Sequence, residues 1–218
     1  LVQRDITKLP NINKKFLFSF FSCIIAGKES ENKMVGKIIL ASSSPRRADI
    51  LRKHNIGFEI IPSPYVEDHS RTDFSYDFIE SLAENKARAV LPLIHEPCNI
   101  IGADTIVVLN KKILGKPHTR ENAIKMLQSL SGKTHTVVTA IAVIDSESQI
   151  CRKISTTSDV EFFPLTTEQI EYYVDNFKPF DKAGSYGIQE MPEGYIKSYT
   201  GSLDNIIGIC PNALKKVL

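Results

Sequence analysis

KIILASSSPRRAD, the stretch from Lys37 to Asp49, contains the three features that decide how the fold is interpreted. Its apolar residues at positions 38–40 predict a short β-strand, the three serines predict a tight turn, and the rest begins an apolar pattern with helical spacing. Ser44 suits the N-cap of that helix, and Pro45 suits its first position, where the missing N–H of proline costs nothing. The stretch therefore predicts a strand that leads through a tight turn into a helix.

Arg46 and Arg47 fall in the first turn of this predicted helix. The helix dipole favours carboxylates over cations there, so helix stability does not explain the two arginines. A multiply charged anion at the helix N-terminus would explain them, because backbone N–H groups, serine hydroxyls and two guanidinium groups would all bind it. The alternative is that both arginines are solvated surface charges.

The composition is that of a globular protein with one large domain or two small ones. The 218 residues are 42% hydrophobic and 24% charged, which is ordinary for such a chain. A net charge of +2 does not indicate a nucleic-acid-binding protein. The four cysteines are far apart and form no CxxC pair, which argues against a zinc site and favours a reducing compartment. We therefore expect a cytoplasmic protein that binds neither nucleic acid nor membrane.

Residues 1–33 differ from the rest of the sequence and are predicted to be an extension outside the catalytic domain. The run from Phe16 to Ala26 is almost entirely apolar, but a membrane-spanning helix needs about 20 such residues. With lysines before it, the run resembles the core of a signal peptide. Because Met34 closely precedes the first strand, we expect the catalytic domain at residues 34–218. The extension is then upstream sequence, an incomplete gene model or a targeting peptide.

NIIGADTIVVL, from Asn99 to Leu109, is predicted to be an apolar strand with a carboxylate, Asp104, in its middle. Burying an unpaired carboxylate costs several kcal/mol or forces its neutralisation, so Asp104 should face a cleft, a metal or a cation. The alternative is a local turn or bulge formed by residues 102–105.

Further elements follow from the spacing of the apolar residues. Strands are expected at residues 58–61, 134–144, 155–163 and 195–199, and the last of these is expected to be apolar. Helices are expected at residues 75–91, 120–130 and 167–176, and a last helix is expected to end at Leu218. Helices and strands alternate without a regular βαβ rhythm, and several strands are expected to pair as hairpins. This pattern favours an α/β fold with a mixed, largely antiparallel sheet over a doubly wound one.

Several polar residues are explained neither as helix caps nor as solvated faces. They are Arg46, Arg47, Glu67, Lys86, Asp104, Lys116, Asp181, Lys182 and Gln189. Cations outnumber carboxylates in this set, and cations neutralise phosphate oxygens whereas carboxylates hold a hard divalent ion. The set therefore points to phosphoryl chemistry. The sequence has no GxxxxGK[ST], GxSxG or HExxH motif, which argues against a P-loop enzyme, a serine hydrolase of that type and a zinc protease.

The ordered motifs resemble those of the Maf (septum-formation-like) family of nucleoside triphosphate pyrophosphatases. In chain order they are LASSSPRR, Glu67 after a proline loop, IGADTIV, GKP, MLQSLSGKTHTVVTAIAV, PFDKAGSYGIQ and GSLDNIIG. The resemblance runs from Lys37 to about Pro211. It implies a two-lobed α/β fold around a nucleotide cleft, similar to the inosine triphosphate pyrophosphatases, and usually a homodimer.

The resemblance also implies an activity and a set of site residues. The family hydrolyses a nucleoside triphosphate between the α and β phosphates with a divalent cation, Mg²⁺ or Mn²⁺. Glu67, Lys86 and Asp104 would be catalytic, Glu67 and Asp104 would hold the metal, and Asp104 would be the base or the metal-linked carboxylate that activates water. Residues that would bind the substrate are Ser42, Arg46 and Arg47 at the phosphates, Gln189 at the base, and Thr105, Lys116 and Lys182.

DKAGSYGIQ together with GADTIV is similar to the branch of the family that acts on dTTP and UTP. A glutamine amide offers both a donor and an acceptor to a pyrimidine edge. We therefore expect hydrolysis of dTTP and UTP, and of modified pyrimidine nucleotides as a further option. The alternatives are a 7-methyl-GTP pyrophosphatase and a nucleotide-binding regulator without turnover.

This sequence departs from the family pattern at two places. Glu190 follows Gln189 where the family usually has glycine, in a stretch (EMPEG) expected to alter the mouth of the cleft. Near the last helix the family usually has GLP, and here the residues from Gly208 to Pro211 read GICP. Both departures concern specificity more than catalysis.

Overall fold

The computed structural model describes residues 36–67 and 71–218. Residues from Gly36 to Leu218 group into one compact unit. The predicted extension at residues 1–33 lies outside the described residues. In the described part of the chain, no helix is long and apolar enough to cross a membrane.

The described residues contain strands and helices whose bounds are as follows. The strands are β1 (Ile38–Leu40), β2 (Glu59–Ile60), β3 (Asn99–Leu109), β4 (Lys112–Leu114), β5 (Thr134–Asp145), β6 (Cys151–Phe162) and β7 (Ile196–Tyr199). The α-helices are α1 (Pro45–Lys53), α2 (Tyr76–Arg88), α3 (Arg120–Leu130), α4 (Thr167–Phe177), α5 (Leu203–Ile207) and α6 (Pro211–Leu214). Leu91–Leu93 and Ala183–Ser185 form short 3₁₀ turns.

These seven strands form one mixed sheet within residues 36–67 and 71–218, in the order β2-β1-β3-β5-β6-β7. β1 pairs in parallel with β2 and β3, whereas β3, β5, β6 and β7 pair antiparallel. β4 returns along β3 through a turn at Asn110 and Lys111, whose φ angles are both positive, as a tight hairpin requires. The predicted mixed, largely antiparallel sheet is confirmed.

Helix α2 packs directly on β3, because Gly102 carries no side chain. A Cβ atom at Gly102 would lie 2.0 Å from the carbonyl oxygen of Ala83 and 2.8 Å from the backbone nitrogen of Ala87. Ala83 and Ala87 are both fully buried against the sheet. This close approach brings Lys86 of α2 within reach of Asp104 in β3.

Two apolar clusters lie on the same face of the long strand β3, since side chains two residues apart point the same way. The first includes Ala103 and the second includes Val107. Between them lies Thr105, whose hydroxyl is 2.9 Å from that of Thr139, its cross-strand partner in β5. A polar layer that includes Thr105 and Thr139 therefore lies between the two apolar clusters.

The last helix is shorter than predicted, because α6 ends at Leu214 and residues 215–217 continue as turns instead of a helix to Leu218. The short helix α5 precedes it and ends at Gly208, whose φ of 148° favours glycine. A strand does form near the predicted residues 195–199, but the prediction that it is apolar was wrong. β7 begins at Ile196, and its other residues are exposed, because it lies at the edge of the sheet.

Candidate active site

A cleft of about 420 Å³ opens where the loop after β1 meets β3 and the loop at residues 181–190. A volume of this size is typical of small-molecule sites. All the residues that the sequence analysis assigned to catalysis, metal or substrate line this cleft, namely Ser42, Arg46, Arg47, Glu67, Lys86, Asp104, Thr105, Lys116, Lys182 and Gln189. The fold therefore brings together residues that are separated by almost 150 positions in the chain.

The N-terminus of α1 forms one wall of the cleft. Ser44 occupies the N-cap position as predicted, but its side chain makes no capping hydrogen bond. The hydroxyl of Ser42 instead accepts a hydrogen bond from the backbone N–H of Ser44, at 3.2 Å. The N-terminal N–H groups of α1 thus lie beside the serine-rich loop, as an anion site at a helix N-terminus requires.

The guanidinium group of Arg47 is built into the fold. The side chain donates from Nε to the carbonyl of Gly208 at 2.9 Å, and from Nη1 and Nη2 to the hydroxyls of Ser42 and Thr105, both at 3.2 Å. Arg47 is only 9% exposed, and this burial lowers its pKa, although Asp104 partly opposes the shift. All three acceptors are neutral oxygens, so a phosphate in the cleft would add a negative charge beside a buried cation.

Arg46 points to the opposite side of the cleft, toward Asp181. Their Nη1 and Oδ2 atoms are 3.6 Å apart. The other oxygen of Asp181 lies 3.1 Å from Nζ of Lys182, which also lies 3.2 Å from Oε2 of Glu190. Burial raises the pKa of Asp181, but the hydrogen bond to Lys182 and the charge of Arg46 outweigh it and lower that pKa overall. Asp181 therefore stays ionised and links the two cations.

Glu67, Lys86 and Asp104 form a compact charged group at the inner end of the cleft. Nζ of Lys86 lies 2.7 Å from Oε1 of Glu67 and also bonds Oδ1 of Asp104. All three side chains are largely buried. The lysine compensates the burial of two carboxylates, which would otherwise be costly. The predicted cation facing Asp104 is Lys86.

The loop that carries Glu67 is attached to helix α2. The hydroxyl of Ser63 donates to the carbonyl of Lys86 at 2.7 Å. Nδ2 of Asn85 donates to the hydroxyl of Tyr65 at 3.3 Å. These contacts place Glu67 beside the side chain of Lys86. Ser63 and Tyr65 line the cleft too, and sequence reasoning missed them because they look like ordinary residues of a proline-containing loop.

The donor set of the cleft fits a divalent cation only in part. Within residues 36–67 and 71–218, no group of three or more histidine, cysteine, aspartate or glutamate side chains could hold a metal ion. Glu67 and Asp104 supply two carboxylates. Mg²⁺ is usually held by one or two carboxylates together with substrate phosphates and water, so these residues fit an ion that arrives with a phosphorylated ligand.

The other end of the cleft is apolar. Val107, Val137, Tyr186, Ile188 and Ile206 line it, next to Gln189. The hydroxyl of Tyr186 lies 2.7 Å from Nε2 of His135, a buried histidine of β5. This end suits a flat, weakly polar ring, whereas the end at α1 suits phosphate. Sequence reasoning missed Tyr186, although it lies inside the AGSYGIQ motif.

Comparisons with known proteins agree with this geometry. The family described as Maf-like protein matches residues 37–218. The chain is 39% identical over 184 residues to a dTTP/UTP pyrophosphatase of Clostridium novyi, covering 83% of this chain and 95% of that one. It is 44% identical over 172 residues to a dTTP/UTP pyrophosphatase of Desulforamulus reducens, covering 79% and 90%.

A nucleoside triphosphate pyrophosphatase of Dictyostelium discoideum is 44% identical over 176 residues, covering 76% of this chain and 82% of that one. Among solved structures, a dITP/XTP pyrophosphatase of Mycobacterium abscessus is similar at 18% identity and a TM-score of 0.39, covering 58% of this chain and 74% of that one. This TM-score is too low to support an argument, whereas the family match covers most of the described chain. The chain belongs to the Maf family.

Proposed function

We propose that this protein hydrolyses dTTP and UTP to the nucleoside monophosphate and pyrophosphate. The observation that carries the proposal is the group formed by Glu67, Lys86 and Asp104, which lies in one cleft with the arginine-bearing N-terminus of α1. Relatives at 39–44% identity that are named dTTP/UTP pyrophosphatases support the choice of substrate.

The two ends of the cleft suggest how the nucleotide lies. The triphosphate would lie at the N-terminus of α1, in the part of the cleft that Arg46, Arg47, the serine loop and the free backbone N–H groups line. Lys116 would add a further cation. The base would lie against the apolar end, where Gln189 offers both a donor and an acceptor to it. Binding of phosphate oxygens to Arg46 would compete with Asp181 for the guanidinium group.

Asp104 is proposed as the base of the reaction. Its carboxylate takes a proton from a water molecule as the water oxygen attacks the α-phosphorus. The bond between the α-phosphorus and the bridging oxygen breaks, and its electron pair leaves with pyrophosphate. Lys86 holds Asp104 and Glu67 in place, because it bonds both.

We further propose that the reaction uses Mg²⁺ or Mn²⁺, held by Glu67 and Asp104 together with the substrate phosphates. When bound, the ion would neutralise phosphate charge and polarise the bonded oxygens. The two carboxylates and the phosphoryl chemistry support this proposal.

We expect residues 34–218 to form the catalytic domain, in agreement with a family match that starts at residue 37. A homodimer is expected from the family resemblance. A cytoplasmic location is supported by Cys98, Cys151 and Cys210, which are free thiols. A cleft sized for one nucleotide, with a near-neutral chain, favours a free nucleotide over a nucleic acid.

The products made from dTTP test the proposed reaction. The purified full chain is incubated with dTTP and Mg²⁺ or Mn²⁺, and the products are separated by ion-exchange chromatography. We expect dTMP and pyrophosphate in equal amounts. Formation of dTDP and phosphate would place the cleavage at the wrong bond and contradict the proposal. Saturable binding of dTTP without any product, with either metal, would favour the non-catalytic regulator.

A further inference from the structure

Lys182 and Glu190 form an ion pair on the cleft loop at residues 181–190, and neither the fold nor the proposed reaction explains it. Lys182 is buried, and its Nζ lies 3.2 Å from Oε2 of Glu190 and 3.1 Å from Oδ1 of Asp181. Both Lys182 and Glu190 line the cleft. Glu190 directly follows Gln189, the residue expected at the base.

The loop holds this pair in a defined place. The backbone N–H of Glu190 donates to the carbonyl of Gly187 at 2.9 Å, and the N–H of Gly187 donates to the hydroxyl of Tyr173 at 3.1 Å. A Cβ atom at Gly187 would lie 3.1 Å from Cε of Lys182 and 3.3 Å from Oε2 of Glu190. The absent side chain therefore lets the pair pack closely on the loop backbone, which fixes where its polar atoms point.

The pair also retains hydrogen-bonding capacity for a ligand. An ammonium group has three donors, and Lys182 uses two of them on Asp181 and Glu190. A carboxylate has about four acceptor sites, and the bond to Lys182 occupies one. A donor and an acceptor thus lie side by side next to the apolar wall formed by Tyr186 and Ile188.

We propose that Glu190 determines base specificity, by forming with Lys182 a donor–acceptor pair that selects the imide edge of uracil and thymine. The inference rests on the proposed function, because that function places the base beside Gln189, on the loop that carries this ion pair. The imide edge carries a carbonyl at C4 beside the N3–H group. Lys182 donates to the carbonyl, and Glu190 accepts from N3–H.

Cytosine offers the opposite polarity at the same positions. It carries an amino group at C4, which meets the lysine as donor against donor, and an unprotonated N3, which meets the carboxylate as acceptor against acceptor. A site built for one hydrogen-bonding pattern rejects a ligand that leaves its polar groups unpaired, here the buried Lys182 and the partly exposed Glu190. Glu190 therefore favours uracil and thymine over cytosine, in addition to any contribution from Gln189.

The test compares UTP with CTP in the full chain and in Glu190→Gln and Glu190→Ala. Glutamine presents either polarity and admits cytosine, whereas alanine removes the acceptor that uracil uses. We expect the ratio of kcat/KM for UTP to that for CTP to fall by about tenfold or more in both variants, as for a lost specific base contact. Glu193→Gln, an exposed carboxylate in the next turn, is the matched control and should leave the ratio unchanged.

Equal losses for UTP and CTP in both Glu190 variants would overturn the inference, because Glu190 would then only be a counter-ion that holds the loop. A parent protein without preference for UTP over CTP would overturn it too. Titration calorimetry measures the binding of UMP and CMP, which lack the bond to be cleaved. Base preference is then measured without any hydrolysis, so failure of the inference can be told apart from failure of the proposed function. A preference for UMP that Glu190→Gln removes would support the inference even if no triphosphate were hydrolysed, whereas no such preference would contradict it.

Discussion

At the scale of single residues, Lys86 is the centre of the candidate site. Two carboxylates that approach each other in a largely buried place repel, and one of them would normally be protonated. Lys86 bonds both Glu67 and Asp104, so its positive charge offsets their repulsion. One ammonium group thus holds both carboxylates of the candidate site.

Asp104→Asn should abolish turnover and leave the fold intact. The amide has nearly the same size as the carboxylate but cannot accept a proton from water, and Lys86 keeps its bond to Glu67. We expect kcat to fall by about 100-fold to 10,000-fold, measured as pyrophosphate release from dTTP. The unfolding midpoint in urea serves as the control for folding. A well-folded Asp104→Asn variant with normal kcat would show that Asp104 is not the base.

Arg46→Ala should mainly weaken triphosphate binding. The Arg46 side chain is 32% exposed and its partner Asp181 is 3.6 Å away, so it is free enough to turn toward phosphate oxygens. We expect KM for dTTP to rise by about tenfold, the loss of one charge-assisted contact. Arg52→Ala is the matched control, since Arg52 lies on the same helix, 60% exposed, and pairs with Asp49 away from the cleft. An unchanged KM for Arg46→Ala would identify Arg46 as a surface charge.

The ten site residues proposed from the sequence all line one cleft, so their shared location could be predicted, whereas their roles stay predictions. The hydrogen-bond and ion-pair partners of these residues could not be predicted. The carbonyl that fixes Arg47 belongs to Gly208, 161 residues further along the chain. The partner of Asp104 is Lys86, on a helix whose distance from β3 depends on packing. Contacts across such separations depend on tertiary structure, which one sequence does not show.

At the scale of elements, the contact between α2 and β3 positions Lys86 beside Asp104. Gly102→Ala should therefore reduce stability and activity together. Its Cβ would lie 2.0 Å from the carbonyl oxygen of Ala83, so α2 must move and carry Lys86 away from Asp104. Overpacking of this kind costs about 1–3 kcal/mol of unfolding free energy. Because the contact is with backbone and very short, we expect a cost at the upper end of this range or above it. Urea unfolding and kcat for dTTP measure the two effects.

Gly57→Ala is the matched control for Gly102→Ala. A Cβ at Gly57 meets no atom within 4 Å, so this variant should be neutral or slightly more stable. If Gly102→Ala were as stable and as active as Gly57→Ala, the packing of α2 on β3 would not be what places Lys86.

Elements with strong apolar periodicity could be predicted with their bounds. β3 and α3 span the residues that the pattern indicates. The short elements could not be predicted so well. The last helix was expected to reach Leu218 but ends at Leu214. The separate helix α5 ends at Gly208, whose positive φ is adopted where its carbonyl meets Arg47. The exposure of β7 follows from its place at the sheet edge, which is a property of strand order.

At the scale of the whole molecule, His135 should make the stability depend on pH. It is buried beside Phe162 and Tyr186, and this burial lowers its pKa to about 4, against the smaller opposing effect of Asp159. His135 is therefore protonated at a lower pH in the folded state than in the unfolded state, where its pKa is near 6.5. The associated stability is present above pH 6.5 and is lost as the pH falls toward 4.

His135→Gln should weaken this dependence. A shift of that size corresponds to a loss of about 2 kcal/mol of unfolding free energy between pH 7 and pH 5 in the parent protein. Urea unfolding at both pH values measures the loss. Other groups contribute equally to both proteins, so the variant should lose about 2 kcal/mol less than the parent. Equal losses in the two proteins would mean that His135 titrates normally.

The measurement that tests the central claim most directly is pyrophosphate release by the full chain from dTTP, UTP, CTP, GTP and 7-methyl-GTP. Each is measured with Mg²⁺ and with Mn²⁺, and Asp104→Asn serves as the blank. The account predicts the highest kcat/KM for dTTP and UTP, and no release by the variant. A higher kcat/KM for 7-methyl-GTP would contradict the proposed base specificity, and release from no nucleotide with either metal would contradict the proposed activity.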